Sequence, residues 1–471
     1  MKFNKTHIRS IGLPLLLSFQ SLQAKKPNII FIISDDLRPQ LNCYGESQMI
    51  TPNIDWLAKQ GVVFNRAYCQ VPVSGASRAS LLSGIRPSET RFMNAASYLQ
   101  KDAPDAISMP QVFKNNQYQT YSLGKVFHHT DDHKSAWDLL IAFDHFDYQD
   151  SISIQEAKRV KAMNNKDIML VGPVDEKPNV PDSAYSDGKI ALKAAEIIKK
   201  SAHNDKPFFM SLGFVRPHLP FIAPKKYWDM YSRDKLQLAA NPFTPKNCPK
   251  EAIGNFAELR RMYLNIPKTG SLSDSLSLSL IHGYYASCTY MDAQLGIVTD
   301  ALKSSGQLEN TIIVLIGDHG WFLDEHGLWC KHANFHLALN APMIIAAPKM
   351  TMNKISNSIV EFIDIFPTLC DLSEIERPNQ LQGMSLKPIL KNPKRIVKNE
   401  AYSRYLGGET VITKNYAYTE WFNPKTEKVT ARMLYDLRTD KNENINIAEL
   451  NDNTAIVEQL HSKVIKNKRQ K

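Results

Sequence analysis

"KPNIIFIISDD", residues 26–36, is a run of apolar residues between a proline and two acids. A continuous apolar run of this length reads as a strand buried on both faces of a parallel sheet. "NTIIVLIGDHG", residues 310–320, repeats the form: apolar residues, then an acid and a histidine. "KPFFMSLGF", residues 206–214, is a third such strand. Helical patterns lie between them. "TPNIDWLAKQGV" (51–62) offers Thr51 as cap and Pro52 at the first turn, with Ile54, Leu57 and Ala58 on one face. "YSDGKIALKAAEIIKKSA" (185–202) is amphipathic, and a long helical stretch runs from about Leu276 to Ser304. Strand and helix alternate from residue 27 to about 375. That alternation predicts an α/β fold: a large mixed, mostly parallel sheet sandwiched by helices.

After "PILKNPKRIVKNE" (388–400) the texture changes. "AYSRYLGGETVITKNYAYTEWF" and "ARMLYDLRTD" alternate polar and apolar residues around turn signals, which predicts hairpins. A closing helix is expected near residues 456–465. The reading is a small C-terminal antiparallel sheet plus helix over 396–471, after a catalytic domain over 25–395. "SLSDSLSLSL" (271–280) reads as a polar entry to the long helix.

The N-terminus has a basic stretch, a short apolar run and a small residue at Ala24, the form of a secretory signal peptide over residues 1–24. The apolar run is too short to span a bilayer, and no later segment is long and apolar enough. The expectation is a soluble, exported protein, periplasmic or secreted, without a membrane span. Of the 471 residues, 43% are hydrophobic and 22% charged, an ordinary globular composition. The formal charge of +10 falls by three, to +7, if Lys2, Lys5 and Arg9 leave with the leader. No arginine-rich arm or repeated basic-aromatic pattern accompanies that charge, so acidic small molecules or polyanionic glycans are expected as ligands and nucleic acid is not. The six cysteines are scattered with no C-x-x-C, which excludes a zinc ribbon and a disulfide scaffold.

In an open α/β sheet, ligands bind beyond the carboxyl ends of the strands. Asp35 and Asp36 end one strand, and Asp318 and His319 end another. Were these strands neighbours, three carboxylates would crowd together and require a cation; oxygen-rich ligation favours calcium or magnesium over zinc. Cationic residues recur in three further loops: Lys125, His128 and His129 in "SLGKVFHHT", His218 in "FVRPHLPF", and Lys331 and His332 in "GLWCKHANFH". Cations beside a metal suit a tetrahedral oxyanion such as sulfate or phosphate.

"SGASRASLLSG", residues 74–84, has the shape of a short helix, with Ser74 able to cap it, Arg78 one turn on and Gly84 at its end. By itself this marks only a capped helix. Together with the strand-end acids and the cationic loops, the chain resembles the type I, formylglycine-dependent sulfatases of the alkaline phosphatase superfamily. Their signature is Cys or Ser, x, Pro or Ala, x, Arg, matched here by Ser74, Ala76 and Arg78. Cys69 and Ser77 lack the residues this register requires. "SDDLRPQLNCYG", "TPNIDWLAKQGVVF", "GKVFHH", "RPHLPF" and "GDHGWFLDEHGLWCKHANF" are most similar to iduronate-2-sulfatase-like bacterial glycosaminoglycan 2-O-sulfatases.

The resemblance implies that Ser74 is converted to formylglycine by an anaerobic, radical-SAM sulfatase-maturing enzyme, serine replacing the cysteine of the animal relatives. It implies that calcium is bound by Asp35, Asp36, Asp318, His319 and residue 74. Arg78 and Lys125 would hold the hydrated aldehyde, and His128 would be the base for sulfate elimination. His218 and Lys331 would bind sulfate and supply the leaving-group proton, the choice between them left open. His129, His332 and His326 match less clearly and read as structural or substrate-lining. The implied activity is hydrolysis of 2-O-sulfate esters of uronic acids, unsaturated ones included, in heparin, heparan or chondroitin-type fragments. A sulfatase for an algal or plant glycan, a phosphatase or phosphodiesterase of the same superfamily, and a non-catalytic glycan-binding protein are the alternatives.

Overall fold

The computed structural model describes residue 1 and residues 25–163, 169–254 and 257–469. The expected leader, apart from Met1, lies outside the described residues. Eight strands form the main sheet: β1 (Asn28–Ser34), β2 (Val62–Phe64), β3 (Gln119–Gly124), β4 (Leu139–Ile141), β5 (Phe208–Phe214), β6 (Thr311–Gly317), β7 (Met343–Ala346) and β8 (Lys354–Ser356). Their order is β8-β2-β7-β6-β1-β5-β3-β4. The strand β7 runs antiparallel to both its neighbours, and every other pairing is parallel. The mixed, mostly parallel sheet is the one expected.

The unbroken apolar run of β1 follows from helices on both faces of the sheet. Ile29, Phe31 and Ile33 pack into a core that includes Ala76, Ala79 and Leu81 of helix α2 (Ser74–Ser83). Ile30 and Ile32 face the other way. They join residues of α1 (Pro52–Gln60), α3 (Ser186–Ser201) and the 31-residue α4 (Asp274–Ser304). Residues Ile29 to Ile33 thus have apolar neighbours on either side of the sheet, and the buried polar residues of the strand stand at its two ends, Asn28 accepting from the Phe208 amide and Ser34 donating to Arg216 O. Ser273 caps α4, accepting from the Leu276 amide at 3.3 Å, so the low-complexity stretch is indeed its polar entry.

Two capping expectations fail, each for a physical reason. Thr51 precedes α1, yet its hydroxyl makes no cap hydrogen bond. Asp292, on α4, supplies the acceptors instead: its Oδ1 takes the Ile54 amide at 2.7 Å and its Oδ2 the Asn53 amide at 3.2 Å. Ser74 is not a cap either. It is the first residue of α2, after Val73, and its side chain turns into the protein. Gly84 ends α2 as expected, with φ of 68°.

The C-terminal residues form a four-stranded antiparallel sheet, β9 (Glu400–Tyr405), β10 (Gly408–Thr413), β11 (Tyr416–Phe422) and β12 (Val429–Asp436), in sequential order. Helix α5 (Thr454–Lys468) packs Val457, Leu460 and Val464 against Val411, Tyr418 and Leu434. All six cysteines are free thiols. Among the described residues, no helix is long and apolar enough to cross a membrane.

The capping exchange is testable by chemical denaturation. Asp292→Ala strands the buried Ile54 amide and the half-buried Asn53 amide and should cost about 2–3 kcal/mol. Thr51→Val removes a hydroxyl without a partner and should be neutral within about 0.5 kcal/mol. Equal losses in both would return the cap to Thr51.

Candidate active site

Four neighbouring parallel strands, β6, β1, β5 and β3, deliver their next residues to one edge of the sheet. Asp318 and His319 follow β6, Asp35 and Asp36 follow β1, the Val215–His218 turn follows β5, and Lys125 follows β3. The ladder continues a step past the strands: the Asp35 amide donates to Phe214 O at 3.0 Å and the Asp318 amide to Ser34 O at 3.2 Å. Backbone hydrogen bonds therefore fix where these side chains start. A side chain at Gly213, in β5, would collide with the backbone of Lys125, so glycine there lets the end of β3 lie against it. Asp36 adopts a left-handed conformation, φ 64°, a region Asp tolerates better than most residues. Tyr284 of α4 braces that turn, its hydroxyl donating to Asp36 O at 2.9 Å and accepting from the Arg38 amide at 2.9 Å.

Helix α2 brings Ser74 to the same edge. Its Oγ lies 3.1 Å from Asp35 Oδ1 and 3.0 Å from His319 Nε2. Arg78, one turn on and fully buried, donates through Nε to Asp318 Oδ2 at 2.9 Å and through Nη2 to Asp35 Oδ1 at 3.1 Å. Its remaining nitrogen is taken by the carbonyls of Lys125 and Val126. The Lys125 ammonium pairs with Asp35 Oδ2. Burial pushes the Asp35 carboxyl upward, but Lys125 and Arg78 together outweigh it and hold it well below the usual range.

A second knot of charge adjoins the first. The Lys331 ammonium lies 3.0 Å from Asp36 Oδ1 and 3.0 Å from Glu258 Oε2. His218 Nε2 lies 3.0 Å from Glu258 Oε1 and 3.7 Å from Asp36 Oδ2. Burial opposes charge on Lys331, but Asp36 and Glu258 raise its pKa well above the ordinary lysine value. His128 borders the site without a hydrogen-bond partner at Nδ1; burial and the adjacent Lys125 push it down to about 2, so it is neutral.

All ten predicted site residues are thus at or beside one edge of the sheet. Of the less clear histidines, His332 adjoins Lys331, and burial with that neighbour pushes it down to about 3. His129 stacks on Tyr98 at 3.8 Å. His326 lies elsewhere, against Phe335 with its amide on Asn241 O. Sequence reasoning missed Glu258 and His145. Glu258 sits in "AELRRM", a short helix with no pattern to distinguish it. His145, pushed down to about 3 by burial and Lys125, lies in a loop that follows no central strand.

The donor set fits a hard divalent cation. Ligand atoms of Asp35, Asp36, Asp318 and His319 lie within 4.8 Å of one another, all buried. His319 Nδ1 pairs with Gly320 O at 3.0 Å, so Nδ1 is the donor there and Nε2, in the neutral ring, presents a lone pair. That lone pair faces carboxylate oxygens of Asp36 and Asp318 at 3.4 and 3.5 Å. Lone pairs facing each other at these distances repel unless a cation lies among them. The charge balance agrees. Four carboxylates (Asp35, Asp36, Asp318, Glu258) meet three permanent cations (Arg78, Lys125, Lys331), which leaves no positive charge to attract an anion until a divalent ion is added.

The protein-family model described as Sulfatase matches residues 27–375, and that for the N-sulphoglucosamine sulphohydrolase C-terminal region matches residues 324–470. Iduronate 2-sulfatase of Mus musculus is 29% identical over 480 residues, covering 84% of this chain and 85% of the mouse protein. Among solved structures, BT4656 in complex with its substrate D-glucosamine-2-N,6-O-disulfate superposes with a TM-score of 0.75 at 22% identity, over 95% of this chain and 98% of that one. BT1596, a 2-O GAG sulfatase, gives a TM-score of 0.71 at 22% identity, over 94% and 92%. At these identities the structural likeness is one of fold.

Calcium at about a hundred times its Kd should stabilise chelator-stripped protein by about 2.7 kcal/mol, read as a raised unfolding midpoint. Asp318→Asn should abolish that shift. A midpoint indifferent to calcium and to magnesium in the unsubstituted protein would rule the site out as a site for a hard divalent cation.

Proposed function

Because the chain belongs to the sulfatase family and is a sulfuric ester hydrolase, we propose that it removes 2-O-sulfate from uronic acid residues at the ends of glycosaminoglycan fragments. The observation that carries the chemistry is Ser74 at the N-terminus of α2, within 3.1 Å of Asp35 and 3.0 Å of His319, with Arg78 behind it. The substrate class rests on the likeness to iduronate 2-sulfatase over most of both chains and on the basic charge of the chain.

Residue 74, oxidised to formylglycine by a maturing enzyme, supplies a hydrated aldehyde as nucleophile, and calcium held by Asp35, Asp36, Asp318 and His319 supplies positive charge at the sulfate. Arg78 and Lys125 fix Asp35 from both of its oxygens, so the carboxylate is held in one orientation beside residue 74. The first turn of α2 adds the partial positive charge of its free amides. His218 and Lys331 bring N–H donors to the neighbouring side, where the departing alcohol oxygen needs a proton. Neutral His128, with Nδ1 unpartnered, accepts the proton released as sulfate leaves.

A two-metal phosphatase is the competing chemistry. Asp36, His218 and Glu258 do converge as a second potential ligand group. The Lys331 ammonium, however, stands 3.0 Å from both Asp36 and Glu258, so the positive charge there is already supplied by the protein. That favours a sulfate ester and a single cation.

Two measurements test the proposal. Matured enzyme should strip 2-O-sulfate from unsaturated uronate disaccharides and leave 6-O- and N-sulfates on glucosamine, as read by chromatography of the digest. Loss of 6-O-sulfate with 2-O-sulfate intact would refute the specificity and leave the sulfatase chemistry. His218→Ala should slow sugar sulfates at least tenfold more than activated aryl sulfates, whose leaving groups need no proton. Equal losses would remove His218 as the proton donor.

A further inference from the structure

A cleft of about 1000 Å³ lies between the edge strand β8 and the C-terminal sheet with α5. Six cations line it: Arg66, Lys394, Lys398, Lys414, Arg438 and Lys463. Glu400 is the carboxylate on its wall. Four of the cations are already engaged. Lys398 pairs with Glu361 and Asp364, Lys463 with Glu400, and Arg438 with Asp436. Arg66 donates to the carbonyls of Thr413 and Lys414 at 2.6 and 3.1 Å.

Lys394 and Lys414 differ from these. Their backbones are pinned and no carboxylate among the described residues pairs with either. Ser356 and Ser358 donate to the carbonyls of Pro393 and Arg395, on either side of Lys394, and Arg66 holds the turn that carries Lys414. Two lysines on held backbone, without a carboxylate partner among the described residues, thus line one opening. Tyr416 adds a flat ring with the Arg438 guanidinium 5.2 Å from its centroid, and Ile396, 67% exposed, adds an apolar rim. Cations on a held backbone beside an aromatic face match a chain of sulfated sugars, which offers spaced anions and apolar ring faces.

The cleft is not part of the catalytic edge already described. In the sheet, β8 stands three places from β6, roughly 14 Å at about 4.8 Å per strand. It lies along the same side, however. Arg66 follows the end of β2, residues 357–359 follow the end of β8, and both strands run parallel to β6.

We propose that this cleft is a second binding site that holds a sulfated glycan chain on the enzyme apart from the residue-74 site. The identity of the occupant rests on the sulfatase reading; the existence of the site does not.

The test compares the full chain with Lys394→Glu/Lys414→Glu and with a control, Lys59→Glu/Lys199→Glu, which makes the same change of net charge on exposed helix positions elsewhere. Binding to immobilised heparin and to DNA-cellulose is read with turnover of a small aryl sulfate. The cleft variant should bind heparin on the order of tenfold more weakly, elute at lower salt and turn over the aryl sulfate normally, while the control binds as the unsubstituted chain does. Unchanged heparin binding in the cleft variant, or an equal loss in the control, overturns the proposal. So does a loss confined to DNA, which would make the cleft a nucleic-acid site. If no variant turns over sulfate esters yet the cleft variant alone loses heparin binding, the second site stands and the catalytic reading falls.

Discussion

Asp35 is a buried carboxylate with partners on both of its oxygens. One oxygen accepts from the Ser74 hydroxyl and from Arg78, and the other meets Lys125. Those partners reach the end of β1 from two other elements: the first two turns of α2 and the residue after β3. A carboxylate taken out of water is tolerated only when its partners are complete, and removing one partner typically costs 3–5 kcal/mol because the others are left unbalanced. The edge of the sheet therefore assembles as a unit. Arg78 extends the same dependence to Asp318 and, through the carbonyls of Lys125 and Val126, to the loop that carries His128.

The C-terminal sheet also reaches this region. Asn334 donates to Tyr405 O at 3.0 Å, and the Tyr405 ring lies 5.7 Å from that of His332, the neighbour of Lys331. The hairpin of β9 and β10 thus borders the loop that carries one of the proton-donor candidates. Sequence texture marks this unit as separate, while its packing makes it a wall of the catalytic edge.

What the sequence discloses follows from distance along the chain. Strands β1, β5 and β6 are legible because each is a local apolar run, and Asp35, Asp36, Asp318 and His319 are legible because they come directly after such runs. Ser74 is legible only through its register with Ala76 and Arg78. Glu258 is not legible: its importance arises when a short helix lays it between His218 and Lys331, 40 and 73 positions away. The caps fail for the same reason. Thr51 has the right type and place, but Asp292, more than two hundred residues later, presents two oxygens to the same amides. Local preference yields wherever a distant side chain offers better geometry.

Every residue of α2 is buried, and Ser74 keeps only 3% of its surface. No second protein could surround that side chain, in the way chemistry on a peptide requires, once α2 has packed beneath the sheet edge. Any enzyme that alters Ser74 must meet it on a chain still extended. The order of events during synthesis is then fixed by packing. Were residue 74 to be modified, a molecule that folded first would keep its original hydroxyl, and the ratio of the two forms would record a race between collapse and modification.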